Sequence, residues 1–204
     1  AVTALERIEA AKAKNPQARK EELAQFKIAM PKSWDEGTVT FTPAVKPAVT
    51  VLGIDPGPAY SAYVFIREDY TIIEAVKRSN VAAHLALRIA LEPDWVRHVA
   101  IEGIACYGRP VGRETFETAY EVGSYRELCR LAGIPYTIYA RPEYANAIAG
   151  CGKVTDAMLF QALRLRFGGA KKGEPLYALK GESDLRSAYA VACYWLDCHK
   201  RGGK

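Results

Sequence analysis

Two apolar segments of the chain run directly into an acid. Val51-Leu52-Gly53-Ile54 ends at Asp55, and Val99-Ala100-Ile101 ends at Glu102. Both segments are short, rich in β-branched residues and bounded by turn formers, as buried strands are. Each carboxylate therefore stands at a strand end, where water is scarce and an unpartnered charge is costly. If the two strands are neighbours, the acids repel each other unless a cation lies between them. Hard divalent ions take oxygen ligands of this kind, one or two carboxylates with water and phosphate completing the shell. A third acid, Asp184, lies in Glu182-Ser183-Asp184-Leu185-Arg186-Ser187-Ala188, where helical apolar spacing begins. Plainer roles exist for each: Asp55 in a turn before Pro56-Gly57, Glu102 in a strand-end ion pair, Asp184 or Ser183 as a helix N-cap. Those roles must coincide three times, and a shared acidic site needs no coincidence.

The elements that position these acids follow from periodicity. Residues 49–55, Ala59 to Arg67 and Tyr70 to Lys77 read as three strands joined by short polar turns, hence an antiparallel meander. Val81 to Leu91 reads as a helix and His98 to Glu102 as a fourth strand. A long helix spans Arg113 to Ala132 and stops at Gly133. Tyr136 to Ala140 is a fifth strand, ended by Arg141-Pro142. Val154 to Phe167 is an amphipathic helix with Met158, Leu159, Ala162 and Leu163 on its apolar face. The closing helix, Leu185 to Cys198, buries Leu185, Ala188, Tyr189, Ala192, Trp195 and Leu196. This order predicts an α/β fold: a mixed five-stranded sheet, three antiparallel strands first, with helices on both faces. Ligand sites in open α/β sheets lie at strand ends, which is where the acids are.

The 204 residues are 50% hydrophobic, 25% charged and 10% aromatic, an ordinary globular composition that argues for one core plus an appendage. Residues 1–47 form the appendage, a helical extension broken at Pro16 and followed by a linker from Pro31 to Pro47; residues 48–204 form the main domain. No apolar run approaches the ~20 residues of a membrane span, and Ala1 to Lys20 has no secretory apolar core, so a cytoplasmic chain is expected. Five cysteines without a CxxC pair and three scattered histidines fit neither a disulfide framework nor a zinc cluster. The net charge of +5 permits nucleic-acid binding without requiring it.

Taken in order, Gly53-Ile54-Asp55-Pro56-Gly57, Ile101-Glu102-Gly103, Gly152-Lys153 opening a helix, and Asp184-Leu185-Arg186-Ser187-Ala188-Tyr189-Ala190-Val191-Ala192 resemble the motifs of RuvC-type Holliday junction resolvases. That family belongs to the ribonuclease H-like nucleases, and the resemblance covers roughly Thr50 to Cys198. It implies a ribonuclease H-like fold and a site in which Asp55, Glu102 and Asp184 hold Mg²⁺, or Mn²⁺, as a pair of ions. Asp55 would bridge the two. A fourth acid normally stands one helical turn beyond the third, and here that position is Ser187. Ser187 could hold a metal-bound water, Asp156 or Glu182 could substitute, or the second ion is weakly held. Lys153 stands where the family has a lysine near the scissile phosphate. Tyr107, beside Ala105, is the stand-in for the aromatic wedge that enters the junction. Arg109, Arg113, Arg141, Arg164, Lys171 and Lys172 are candidate phosphate contacts.

The implied activity is resolution of four-way DNA junctions by paired symmetric nicks, carried out by a homodimer. The helix over 113–132 would form its interface, although the face of Phe116, Ala119, Tyr120, Gly123 and Leu128 fits core packing equally well. A recombination or replication protein is a possible partner, and residues 1–47 could bind DNA, dimerise or dock that partner. Two other readings compete. One is a ribonuclease H-like nuclease acting on another branched or RNA-containing substrate. The other is a catalytically weakened junction-binding module, for which Ser187 is the evidence.

Overall fold

Short polar turns fold residues 50–79 into an antiparallel meander of β1 (Thr50–Asp55), β2 (Tyr60–Ile66) and β3 (Ile72–Ser79) in this computed structural model, which describes residues 50–91, 95–105 and 110–200. The proposed extension and linker at 1–47, and the site candidates Tyr107 and Arg109, lie outside the described residues. Helix α1 (Asn80–Ala90) returns the chain to β4 (Val96–Gly103), which pairs with β1 in parallel. Helix α2 (Arg113–Ala132) ends where Gly133 takes the left-handed conformation at φ 69°. It leads into β5 (Tyr136–Ala140), parallel to β4. Then come α3 (Arg141–Ala149), α4 (Asp156–Phe167), a 3-10 turn at Tyr177–Leu179 and the closing α5 (Ser183–Lys200). The sheet order is β3-β2-β1-β4-β5, the expected mixed sheet with the acid-bearing β1 in its centre.

Helix α3 is the one α-helix among the described residues that the sequence pattern did not give, and the short 3-10 turn at Tyr177–Leu179 was likewise not foreseen. Arg141-Pro142 reads as the stop of β5, yet it also opens a helix. Proline is at ease in a first helical turn, where its missing N–H has no partner to lose. Glu143 sits in the same turn, and Gly150 closes the helix in the left-handed conformation. With nine residues and little amphipathicity, α3 gives only these end signals.

One face of the sheet is covered by α5. Val51, Ala62, Val64 and Ala100 pack there with Ala188, Tyr189, Ala192 and Trp195 in a single buried cluster. All six residues expected to bury on α5 do so. The alternate residues Leu52, Ile54, Val99 and Ile101 are buried on the opposite face, the side of α1 and α2. Two expectations about faces are corrected. Met158 on α4 is 40% exposed, since only Leu159 and Leu163 of its set are buried. Core packing of the Phe116 and Tyr120 face of α2 also fails, because these residues are 53% and 71% exposed while Tyr125 and Cys129 turn inward. Among the described residues no helix is long and apolar enough to cross a membrane.

Candidate active site

Three parallel strands end together, and each delivers a charged residue. The register pairs Ile54 with Ile101 and Gly103 with Ala140. Asp55 is the last residue of β1, Glu102 the last but one of β4, and Arg141 the first after β5. Strand alternation turns Asp55 to the same face as Val51, toward α5. Gly53, between them, lets that helix come close: a Cβ there would lie 1.9 Å from the Ala188 carbonyl oxygen. The close approach brings the start of α5, with Asp184 and, one turn later, Ser187, over the end of β1.

The charges of the other two acids both act on Asp55. Burial first, and then the charges of Glu102 and Asp184, push the Asp55 carboxyl well above the ordinary carboxylate range. Arg141 and a hydrogen bond with Ser187 act in the other direction without restoring it. Glu102 is also raised, by burial, against the opposing effects of Tyr144 and Arg141. Burial acts to raise Asp184 too, but hydrogen bonds from Lys77 and Ser183 and the charges of Lys77 and Arg141 leave it below its usual value. Among the described residues no lysine or arginine ion-pairs with Asp55. The central acid is the one of the three without an ion pair among the described residues.

Arg141 is the hub of the Glu102 side. Its Nη1 donates to Ser187 Oγ at 2.8 Å and to Tyr144 Oη at 3.3 Å, and lies 3.6 Å from Glu102 Oε1. Its Nη2 binds the Asp156 carboxylate at the start of α4. Tyr144, fully buried on α3, donates to Glu102 Oε2 at 2.7 Å. On the other side Lys77 Nζ lies 2.7 Å from Asp184 and 3.4 Å from Glu182. The sheet register explains its reach, since Lys77 pairs with Ala62, which pairs with Asp55. The small Ala62 leaves the row between them open.

A cavity of about 310 Å³ opens at these strand ends, lined by Asp55, Pro56, Glu102, Gly103, Ile104, Ala105, Thr118, Arg141 and Pro142. Lys153 stands in the loop between α3 and α4, exposed and in the left-handed conformation at φ 57°. No hydrogen bond or ion pair among the described residues joins it to the acids. Arg113 is held by Glu117 on the surface of α2, and Arg164, Lys171 and Lys172 are exposed around the end of α4. The structure thus brings together Asp55, Glu102, Asp184, Ser187 and Arg141, and leaves Lys153 and the remaining basic residues outside this cluster. Tyr144 and Lys77 had no signal in the sequence: one sits on the unforeseen helix, the other depends on a hairpin register.

The donor chemistry fits a hard divalent cation at Asp55, a buried carboxylate raised by two like charges. The fit is poorer beside Ser187, where a guanidinium already stands. Among the described residues, no three His, Cys, Asp or Glu side chains are placed to hold one metal ion together.

A mixed sheet of order 3-2-1-4-5 with its acids at the ends of the central parallel strands defines a ribonuclease H-like fold, and the solved structures agree. RuvC of Thermus thermophilus matches with TM-score 0.58 at 16% identity, over 76% of this chain and 97% of that one. The structure of T. thermophilus RuvC in complex with a Holliday junction substrate matches with TM-score 0.60 at 17% identity, over 76% of this chain and 96% of that one. No protein-family model matches the sequence, and no curated protein matches it.

Proposed function

We propose that the chain is a divalent-metal-dependent endonuclease that resolves four-way DNA junctions by paired symmetric nicks. The observation that carries this reading is Asp55, without an ion pair among the described residues at the end of the central strand and under the charges of Glu102 and Asp184, on the fold shared with RuvC. Asp55, Glu102 and Asp184 are the residues that would hold Mg²⁺ or Mn²⁺. When bound, such an ion supplies a more acidic water and neutralises charge on phosphate oxygens. The chain's own groups do the rest. Tyr144 and Arg141 fix the Glu102 carboxylate, and Lys77 fixes Asp184. Lys153, Arg113, Arg164, Lys171 and Lys172 contact phosphates flanking the site. A homodimer would present two such sites to a junction that has two-fold symmetry.

The test is cleavage of a labelled four-way junction in Mg²⁺ and in Mn²⁺, with linear duplex as control and Asp55→Asn beside the wild type. Paired nicks in the junction, abolished in Asp55→Asn, are expected. Equal cutting of duplex and junction would make it a nuclease of broader substrate range. A second reading, a junction-binding module with weakened catalysis, is favoured by the internal cations already seated on Glu102 and Asp184. It requires tight junction binding with no nicks in either metal.

A further inference from the structure

We propose that the Arg141 guanidinium does in this site the charge-neutralising work of a second divalent ion, so that the chain binds one such ion; this rests on the nuclease reading above.

Acidic phosphodiesterase sites with paired ions need enough carboxylates to hold both. This chain has an alcohol, Ser187, where the resemblance places a fourth acid, and the alcohol is engaged. Ser187 is 3% exposed, and its Oγ accepts from Arg141 Nη1 at 2.8 Å. An ion shared by Glu102 and a side chain at position 187 would have to occupy the space between them. That space holds the guanidinium, 3.6 Å from Glu102 and hydrogen-bonded to Ser187. Arg141 is not a surface arginine that happens to reach inward. It begins α3 directly after β5, and Tyr144 and Asp156 hold it from α3 and α4. Four side chains from four elements thus converge on a cation that cannot be deprotonated in a protein. The opposite side of Asp55, toward Asp184, is closed less firmly. Lys77 there is as exposed as Arg141, but it reaches over from β3 and divides its contacts between Asp184 and Glu182, whereas four side chains hold Arg141. One ion can enter between Asp55 and Asp184, with water and a substrate phosphate completing its shell.

The prediction is read as a count. Mn²⁺ binding to the full chain is followed by the paramagnetic resonance signal of the free ion and by calorimetry. It is measured alone and with a phosphorothioate-protected junction, corrected for binding to that junction by itself. The wild type saturates at one ion per chain in both conditions, and Arg141→Lys also holds one. The double variant Arg141→Gln with Ser187→Asp, which removes the guanidinium and restores a carboxylate, gains a second. A wild type that binds two ions, or none, overturns the proposal. So does a double variant that melts as a folded protein yet stays at one. Should that variant not fold, the wild-type count decides alone. One bound ion without junction cleavage would refute the nuclease reading and leave this inference standing; cleavage with two bound ions would do the reverse.

Discussion

At Asp55 the folded chain disfavours the charged form of a carboxyl, and at Glu102 it does so to a lesser degree. Both are raised by burial, and Asp55 further by its acidic neighbours. A folded carboxyl raised above its ordinary value of 3.8 binds protons that the unfolded chain has already lost. Its contribution to stability is therefore lost as pH rises through that window, at up to ~1.4 kcal/mol for each unit of separation. His98 works in the opposite direction. Burial, with the charges of His199 and Arg97, lowers it from 6.5 to about 4, so its stabilising effect is lost as pH falls through that range. The clean readout is thus the difference between variant and wild type. In EDTA, Asp55→Asn should melt at or below the wild type near pH 4 and above it at pH 7, by circular dichroism. An unchanged difference across that range would mean that neither burial nor the neighbouring acids raise Asp55. Mn²⁺ should raise the wild-type midpoint at pH 7 and leave Asp55→Asn where it was.

The element that decides the site is α5, and what lets it in is the missing side chain at Gly53. A methyl group there meets a backbone carbonyl at 1.9 Å and the Ala192 Cβ at 2.9 Å, neither of which can rotate away. Gly53→Ala should destabilise the chain by ~1–3 kcal/mol, as overpacking of a tight interior does. It should also lift Asp184 and Ser187 off the end of β1. The check is a denaturant titration beside Mn²⁺ affinity. Lower stability with unchanged affinity would show that the strand end, not the helix approach, fixes the acids. This level of organisation was largely legible. The meander, the two later strands and the apolar set of α5 all followed from periodicity, and two of the three acids from the strands that run into them. Helix α3 was not legible, because Arg141-Pro142 ends a strand and begins a helix with the same residues. That single ambiguity hid the arginine's place. As a loop residue Arg141 reads as one more phosphate contact, whereas at the N-terminus of α3 it points back among the acids. Lys77 was hidden for another reason: it meets Asp184 only because two hairpin registers align Lys77, Ala62 and Asp55 in one row.

For the molecule as a whole, the question is what the exposed aromatic face of α2 does. Phe116 and Tyr120 are one turn apart, both more than half exposed, on a helix whose other side, through Tyr125 and Cys129, packs onto the sheet. An isolated exposed aromatic needs no explanation, but two on one stripe of a 20-residue helix make a patch suited to another surface. The proposed substrate points to which surface. A four-way junction is two-fold symmetric, and symmetric nicks require two sites related by the same axis. A self-complementary contact along α2 meets that requirement, because each copy offers the same stripe to its twin. Phe116→Glu with Tyr120→Glu should therefore convert a dimer to a monomer in sedimentation velocity. Its melting should change by less than ~1 kcal/mol, since both side chains already face solvent. If α2 is the interface, the double variant also loses paired nicks and makes single ones, because the two strands are then cut in independent encounters. A wild type that sediments as a monomer with a bound junction would remove the dimer from this reading. The acidic site would be untouched, since the described residues that meet there, Asp55, Glu102, Arg141 and Asp184, already do so within one chain.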